Sequence, residues 1–316
     1  MKPDPRVVAL GGGHGLAASL AALRQVTSRL TAVVTVGDNG GSSGRLRSEF
    51  GVLPPGDLRM ALAALCDDDR WGRQWADVLQ HRFSSPGDLD GHSLGNLLIL
   101  SLWQQLGDQV SGLDWVARLL GAKGRVLPMA LEPVDITAQV SGLDPAHPER
   151  LSTVRGQVEV ATTPGQVESV ALEPGEPRAC PETLSAIREA DWIVLGPGSW
   201  YTSVLPHLLV PAVLDALTEA RGHVVVTMNL EAQSGETDGY TVSDHLQVLE
   251  SHAPQLPIHT VLAATTAAVT EPEELREHAA RMGAGLVLAD LAMEGQPAVH
   301  DATKLGRAYR DLMLPH

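Results

Sequence analysis

The 316 residues carry 38 acidic and 23 basic side chains, a formal charge of −15 with histidine neutral. With 44% hydrophobic and 19% charged residues the chain can fill a sizeable core, which excludes wholesale disorder. The acid excess excludes a coat on nucleic acid or on an anionic membrane, and a 3% aromatic content leaves few platforms for stacking bases.

Met1 to Arg6 is polar and runs straight into Val7-Val8-Ala9-Leu10, leaving no room for a cleavable leader. This first apolar run reads as a strand, the stretch from Leu16 to Gln25 as a helix, and Thr31 to Val36 as a second strand. Between them lies the cluster Gly11-Gly12-Gly13-His14-Gly15, a strand-to-helix turn whose backbone N–H groups can approach a phosphate. It is neither a dinucleotide fingerprint, because Leu16 stands where a third small residue is needed, nor a P-loop.

The second strand ends in another such segment, Gly37-Asp38-Asn39-Gly40-Gly41-Ser42-Ser43-Gly44-Arg45-Leu46-Arg47. In a parallel sheet both segments share one crevice, so His14, Asn39, Gly40, Gly41, Ser42, Ser43 and Arg45 are candidate ligand residues with Gly12 and Gly13. The two serines offer hydroxyls or helix caps. Asp38 fits a ribose hydroxyl, a divalent metal or an Asx turn. Asp57, in Pro54-Pro55-Gly56-Asp57-Leu58-Arg59, fits a helix cap or a second metal carboxylate; with Asp38 it would suit Mg²⁺ on a diphosphate.

Helices are expected at Leu58 to Cys66 and Leu94 to Gln105, within a helical part spanning about residues 57–122. Gly91-His92-Ser93-Leu94-Gly95 matches the serine-hydrolase expression G-x-S-x-G, yet a turn-rich loop precedes it where the elbow needs a strand. His92 and Asn96 share a helix face and fit polar ligand contacts instead. The apolar run 97–103 is too short to span a membrane. Prolines punctuate residues 125–181, and runs such as Gln157-Val158-Glu159-Val160 suggest short antiparallel strands inserted into one domain covering 1–316.

Strands then follow at Trp192 to Leu195, Val224 to Met228, Ile258 to Leu262 and Leu286 to Leu288, with helices at Val204 to Ala220, Val242 to Leu249 and Glu273 to Met282. Gly196-Pro197-Gly198-Ser199 and the segment from Asn229 through Gly235-Glu236-Thr237-Asp238-Gly239-Tyr240 add two more loops to the same sheet edge. Arg59, Gly198 and Ser199 join the candidate residues. Cys66 and Cys180 form no C-x-x-C pair, which fits a reducing, cytoplasmic setting.

Six ordered segments, ALGGGHGL, VTVGDNGGSSGRLR, PPGDLRMALAAL, GHSLGNLL, GPGSWYTSVLPHLLVP and SGETDGYTVSDHL, together resemble the YvcK/CofD family. The resemblance implies an α/β fold, a Rossmann-like three-layer core with a mainly parallel sheet, a helical part and an inserted β-rich segment. Its CofD branch is similar to a metal-dependent 2-phospholactate transferase. Its YvcK branch, the gluconeogenesis factors, is associated with UDP-sugars such as UDP-N-acetylglucosamine and UDP-glucose, and with cell-shape and peptidoglycan maintenance on gluconeogenic carbon.

On that resemblance Gly12, Gly13, Gly41, Ser42, Ser43 and Arg45 would hold a diphosphate, while Asn229, Thr237 and Tyr240 would contact base or sugar. Asp38 and Asp57 match the metal-binding acids of the transferase branch, which pairs two acids where this chain has Asp38-Asn39. The implied protein is a non-enzymatic regulator that meets a partner in cell-wall precursor synthesis, with a homo-oligomer left open. The alternative is a Mg²⁺-dependent transferase on a nucleotide-diphospho-linked donor, with Arg45 or Arg59 stabilising charge.

Overall fold

The computed structural model describes residues 4–233, 236–265 and 272–314. In chain order it runs β1 (Arg6–Gly11), α1 (Gly13–Leu23), β2 (Arg29–Val34), α2 (Gly41–Phe50), α3 (Gly56–Ala64), α4 (Arg70–Gln80), α5 (Leu94–Leu106), α6 (Gln109–Leu120) and β3 (Arg125–Pro128). Then come β4 (Asp135–Ser141), β5 (Ser152–Arg155), α7 (Gln157–Ala161), β6 (Gln166–Glu173), α8 (Pro181–Glu189) and β7 (Trp192–Leu195). The last part holds α9 (Leu205–Leu208), α10 (Pro211–Glu219), β8 (His223–Thr227), α11 (Val242–His252), β9 (Thr260–Ala264), α12 (Pro272–Arg281), β10 (Gly285–Ala289), β11 (Ala292–Met293), β12 (Gln296–His300) and α13 (Ala302–Met313).

Seven parallel strands form the central sheet in the order β10-β9-β8-β7-β1-β2-β3, and helices cover both of its faces. Buried on both sides, these strands read as unbroken apolar runs: Val7 to Leu10 and Ile193 to Leu195 are fully enclosed. The α/β, Rossmann-like architecture is as expected. Helix α13 closes the sheet: Asp301 caps its first turn, and the buried Tyr309 hydroxyl bonds Ser19 and Thr227, joining α1 to β8.

Several expectations change. Residues 125–128 are the edge strand of the main sheet, and the antiparallel sheet β5-β4-β6 begins only at Asp135. Gln157 to Val160 is helix α7, because Gly156 at φ 110° turns the chain out of β5. The helix expected from Val204 to Ala220 divides into a π turn at Trp200–Val204, then α9, then α10, because Pro211 starts a new helix and cannot continue the old one. No single helix among the described residues is long and apolar enough to cross a membrane.

Candidate functional site

From β1 the chain winds outward to β2 and β3 on one side, and from β7 to β8, β9 and β10 on the other. The topological switch point therefore lies between β1 and β7, where such sheets bind ligands outside the carboxyl ends of the strands. Here the turns after β1 and β7 touch: a β-carbon on Gly15 would lie 2.3 Å from the Pro197 carbonyl oxygen. Asn229 secures the second turn, accepting from Gly198 N–H and donating to Gly198 C=O, each at 2.9 Å. A crevice of about 350 Å³ opens beside them, bordered by His14, Gly198, Asn229, Glu231 and His300.

The carbonyl of Gly11 accepts from Thr35 N–H at 3.0 Å and from His207 Nε2 at 3.1 Å. Burial pushes His207 down to about 4, so its imidazole is neutral at physiological pH and acts here as the donor. Two donors on one carbonyl fix the peptide plane, and the trans peptide then aims the Gly12 N–H the opposite way.

Asp57 sits below this turn. Of its two expected roles the helix cap falls away, since Pro55 holds that position, and Asp57 accepts from Thr35 Oγ1 at 3.2 Å and from Gly13 N–H. Burial, reinforced by the nearby Asp38 charge, raises Asp57 to about 6. A β-carbon on Gly12 would lie 2.5 Å from Thr35 Oγ1, 2.7 Å from Asp57 Oδ2 and 3.2 Å from Ser203 Oγ. These are hard oxygen donors that suit Mg²⁺, and a cation would relieve the repulsion between the two carboxylates. Among the described residues no group of three acidic, histidine or cysteine side chains forms a complete metal cage. A cation on Asp38 and Asp57 would therefore take its remaining oxygens from water and the ligand.

The segment after β2 is more ordered than a loop. Helix α2 starts at Gly41, with Gly40 at its N-cap, so the expected serine caps do not form. Asp38 makes an Asx turn, its Oδ1 accepting from Gly40 N–H at 2.8 Å. Asn39 faces the inserted sheet: it accepts from Val158 N–H at 3.1 Å and donates to Glu159 at 2.7 Å, a double role that a second Asp would not fill.

Ser42, Asn96, His92 and Arg59 form one buried network. Ser42 Oγ accepts from Asn96 Nδ2 at 3.0 Å and from Ser93 N–H at 3.3 Å, which leaves its proton for His92 Nδ1 at 3.0 Å. Burial lowers the His92 pKa, in keeping with that neutral acceptor. Ser93 is fully buried and donates to the Leu79 carbonyl at 2.8 Å, which removes it as a nucleophile. Arg45 donates to the Asp88 and Asp90 carbonyls, and Arg47 pairs with Asp135 on the inserted sheet. Ser43 Oγ lies against Gly56, beside Asp38.

The remaining candidates lie further out. Ser199 Oγ donates to Glu236 at 2.6 Å, and that carboxylate also accepts from Tyr201 and Thr202 N–H. Thr237 is buried and closes its own turn by accepting from Gln233 N–H at 2.9 Å. Tyr240 contacts Tyr201 across a separate cavity of about 800 Å³ between β6 and α11, and Gly235 lies outside the described residues. Thr35, Ser203, His207 and Glu236 escaped the sequence reading. For Thr35 the only signal was a lone hydroxyl in the apolar run Val33 to Val36.

A family model described as 2-phospho-L-lactate transferase CofD matches residues 7–303. A gluconeogenesis-factor homologue from Mycobacterium tuberculosis is 51% identical over 301 residues, covering 95% of this chain and 87% of that protein. The gluconeogenesis factor of Bacillus subtilis is 39% identical over 262 residues, covering 83% and 79%. A crystal structure of a UPF0052 family member from Bacillus halodurans superposes with a TM-score of 0.84 at 33% identity, covering 98% of this chain and 99% of that one. With this much of the chain matched in both sequence and fold, the protein belongs to the CofD/YvcK family.

Proposed function

We propose that this chain is a cytoplasmic regulatory protein that binds a nucleotide sugar, such as UDP-N-acetylglucosamine or UDP-glucose, and acts in gluconeogenic growth and cell-wall and cell-shape maintenance. One observation carries the reading: the glycine turns after β1 and β7 touch at the switch point, the first lies against Asp57, and α2 starts at the end of the adjacent strand β2. Backbone donors at a helix start suit a diphosphate, and Asp38 with Asp57 suit a Mg²⁺ that bridges it. The names of the Bacillus and Listeria relatives support the gluconeogenic setting. A single domain covering 1–316, a protein partner in cell-wall precursor synthesis and a homo-oligomer belong to the same proposal.

The second reading is a Mg²⁺-dependent transferase acting on a nucleotide-diphospho-linked donor. It is favoured by the raised Asp57 beside Asp38, a pair whose charge a cation would neutralise during phosphoryl chemistry. Calorimetry with UDP-N-acetylglucosamine and UDP-glucose, each with and without Mg²⁺, tests the first reading; absence of heat in all four titrations refutes it. Conversion of a nucleotide-diphospho donor to free nucleotide by the protein would move the conclusion to the second.

A further inference from the structure

Arg59 is 4% exposed, and its aliphatic stem packs on Gly95, where a β-carbon would lie 2.8 Å from both Cγ and Cδ. Its Nε donates to Asn96 Oδ1 at 3.0 Å. Among the described residues no carboxylate or carbonyl accepts from its two Nη atoms, which are not fully enclosed. A guanidinium buried to this degree normally sits in an ion pair, because desolvating an unpaired charge costs several kcal/mol (roughly). Asp57 and Asp38 offset part of the charge from a distance without bonding it.

The surroundings add positive charge where a counter-ion would be expected. Arg82 lies near enough to add its positive charge to that of Arg59. Arg82 donates to the Gly91 carbonyl at 2.9 Å, and Arg45 to the Asp90 carbonyl at 2.6 Å, so both are held by neutral acceptors. Asn96 and Ser42 connect this cationic corner to the start of α2, next to the proposed diphosphate position.

We propose that Arg59, backed by Arg82 and Asn96, forms a second anion subsite that takes a carboxylate carried by the ligand beyond its diphosphate. The planar guanidinium fork matches a carboxylate in a way that a neutral sugar hydroxyl does not. This rests on the nucleotide-sugar reading and narrows it to nucleotide sugars with an added acidic group.

Two ligand pairs gain one carboxylate at different positions: UDP-glucuronate over UDP-glucose by oxidation at C6, and UDP-N-acetylmuramate over UDP-N-acetylglucosamine by an added lactyl ether. In calorimetry on the full chain with Mg²⁺, at least one acidic member is expected to bind about tenfold or more tightly than its neutral partner. In Arg59→Gln that preference falls below about threefold. Arg82→Gln, at an exposed residue, should reduce it in part and guards against a folding defect at Arg59. Neutral ligands that bind while neither acidic member is preferred would overturn the subsite alone. No binding by any of the four would overturn it together with the nucleotide-sugar reading.

Discussion

The two ends of the central sheet handle charge in opposite ways. At the amino ends of β1, β2 and β3 a cleft of about 670 Å³ is bordered by Arg6, Arg29, Arg125, Glu182 and Glu189. There Arg6 pairs with Asp191 and Glu189, and Arg125 pairs with Asp114. The Arg6 backbone and side chain hold Asp191 below the usual carboxylate range, and Asp114 raises Arg125, so each charged form is favoured. At the carboxyl ends Asp57 is raised and Arg59 lowered, so each charged form is disfavoured. Under the proposed function, charge that the fold leaves uncompensated marks the ligand-binding end, because a ligand can complete it.

The strongest way to break this contrast is Asp57→Asn. Its pKa rises from 3.8 to about 6 on folding, so the folded state holds the proton more tightly. Stability therefore falls as pH rises through that window, and ionised Asp57 is a net cost at neutral pH. The variant should be more stable at pH 7 by about 1–3 kcal/mol, read by thermal denaturation, and should lose Mg²⁺ binding. In the wild type, Mg²⁺ affinity should climb from pH 5 to about 7 and level off above that, because proton and cation compete for one carboxylate with a pKa of about 6. A destabilised variant that still binds Mg²⁺ would erase the distinction between the two ends.

Gly12→Ala comes next. Its methyl would meet Thr35 Oγ1 and Asp57 Oδ2, so stability should fall by about 1–3 kcal/mol and nucleotide affinity by about tenfold. Asn39→Asp replaces a donor to Glu159 with a like charge, at a cost of about 1 kcal/mol. Faster amide exchange at residues 157–161 would show the inserted sheet loosening. The smallest effect belongs to the amino end: Arg6→Met removes a half-exposed pair, should cost no more than about 1 kcal/mol, and should leave ligand affinity unchanged.

The sheet was legible because its strands are buried on both faces and leave continuous apolar runs, such as Val7 to Leu10. The glycine segments were legible because a close backbone approach demands glycine, as Gly15 against Pro197 shows. Contacts between distant segments were not. Asp57 reads in sequence as a helix cap or a metal carboxylate, and only the fold brings Thr35 and Gly13 to it. Asn39 reads as a ligand residue, whereas folding gives its amide to α7. His207 lies 196 positions from Gly11, a separation that leaves no local pattern.

The most direct test of uncompensated charge as the mark of the ligand site is a crystal structure of the protein with UDP-N-acetylglucosamine and Mg²⁺. The diphosphate is expected against the Gly12–Gly13 and Gly40–Ser42 backbone, with the cation on Asp38 and Asp57. A nucleotide seated in the amino-end cleft among Arg6, Arg29 and Arg125, with Asp57 free of any cation or ligand, would contradict it.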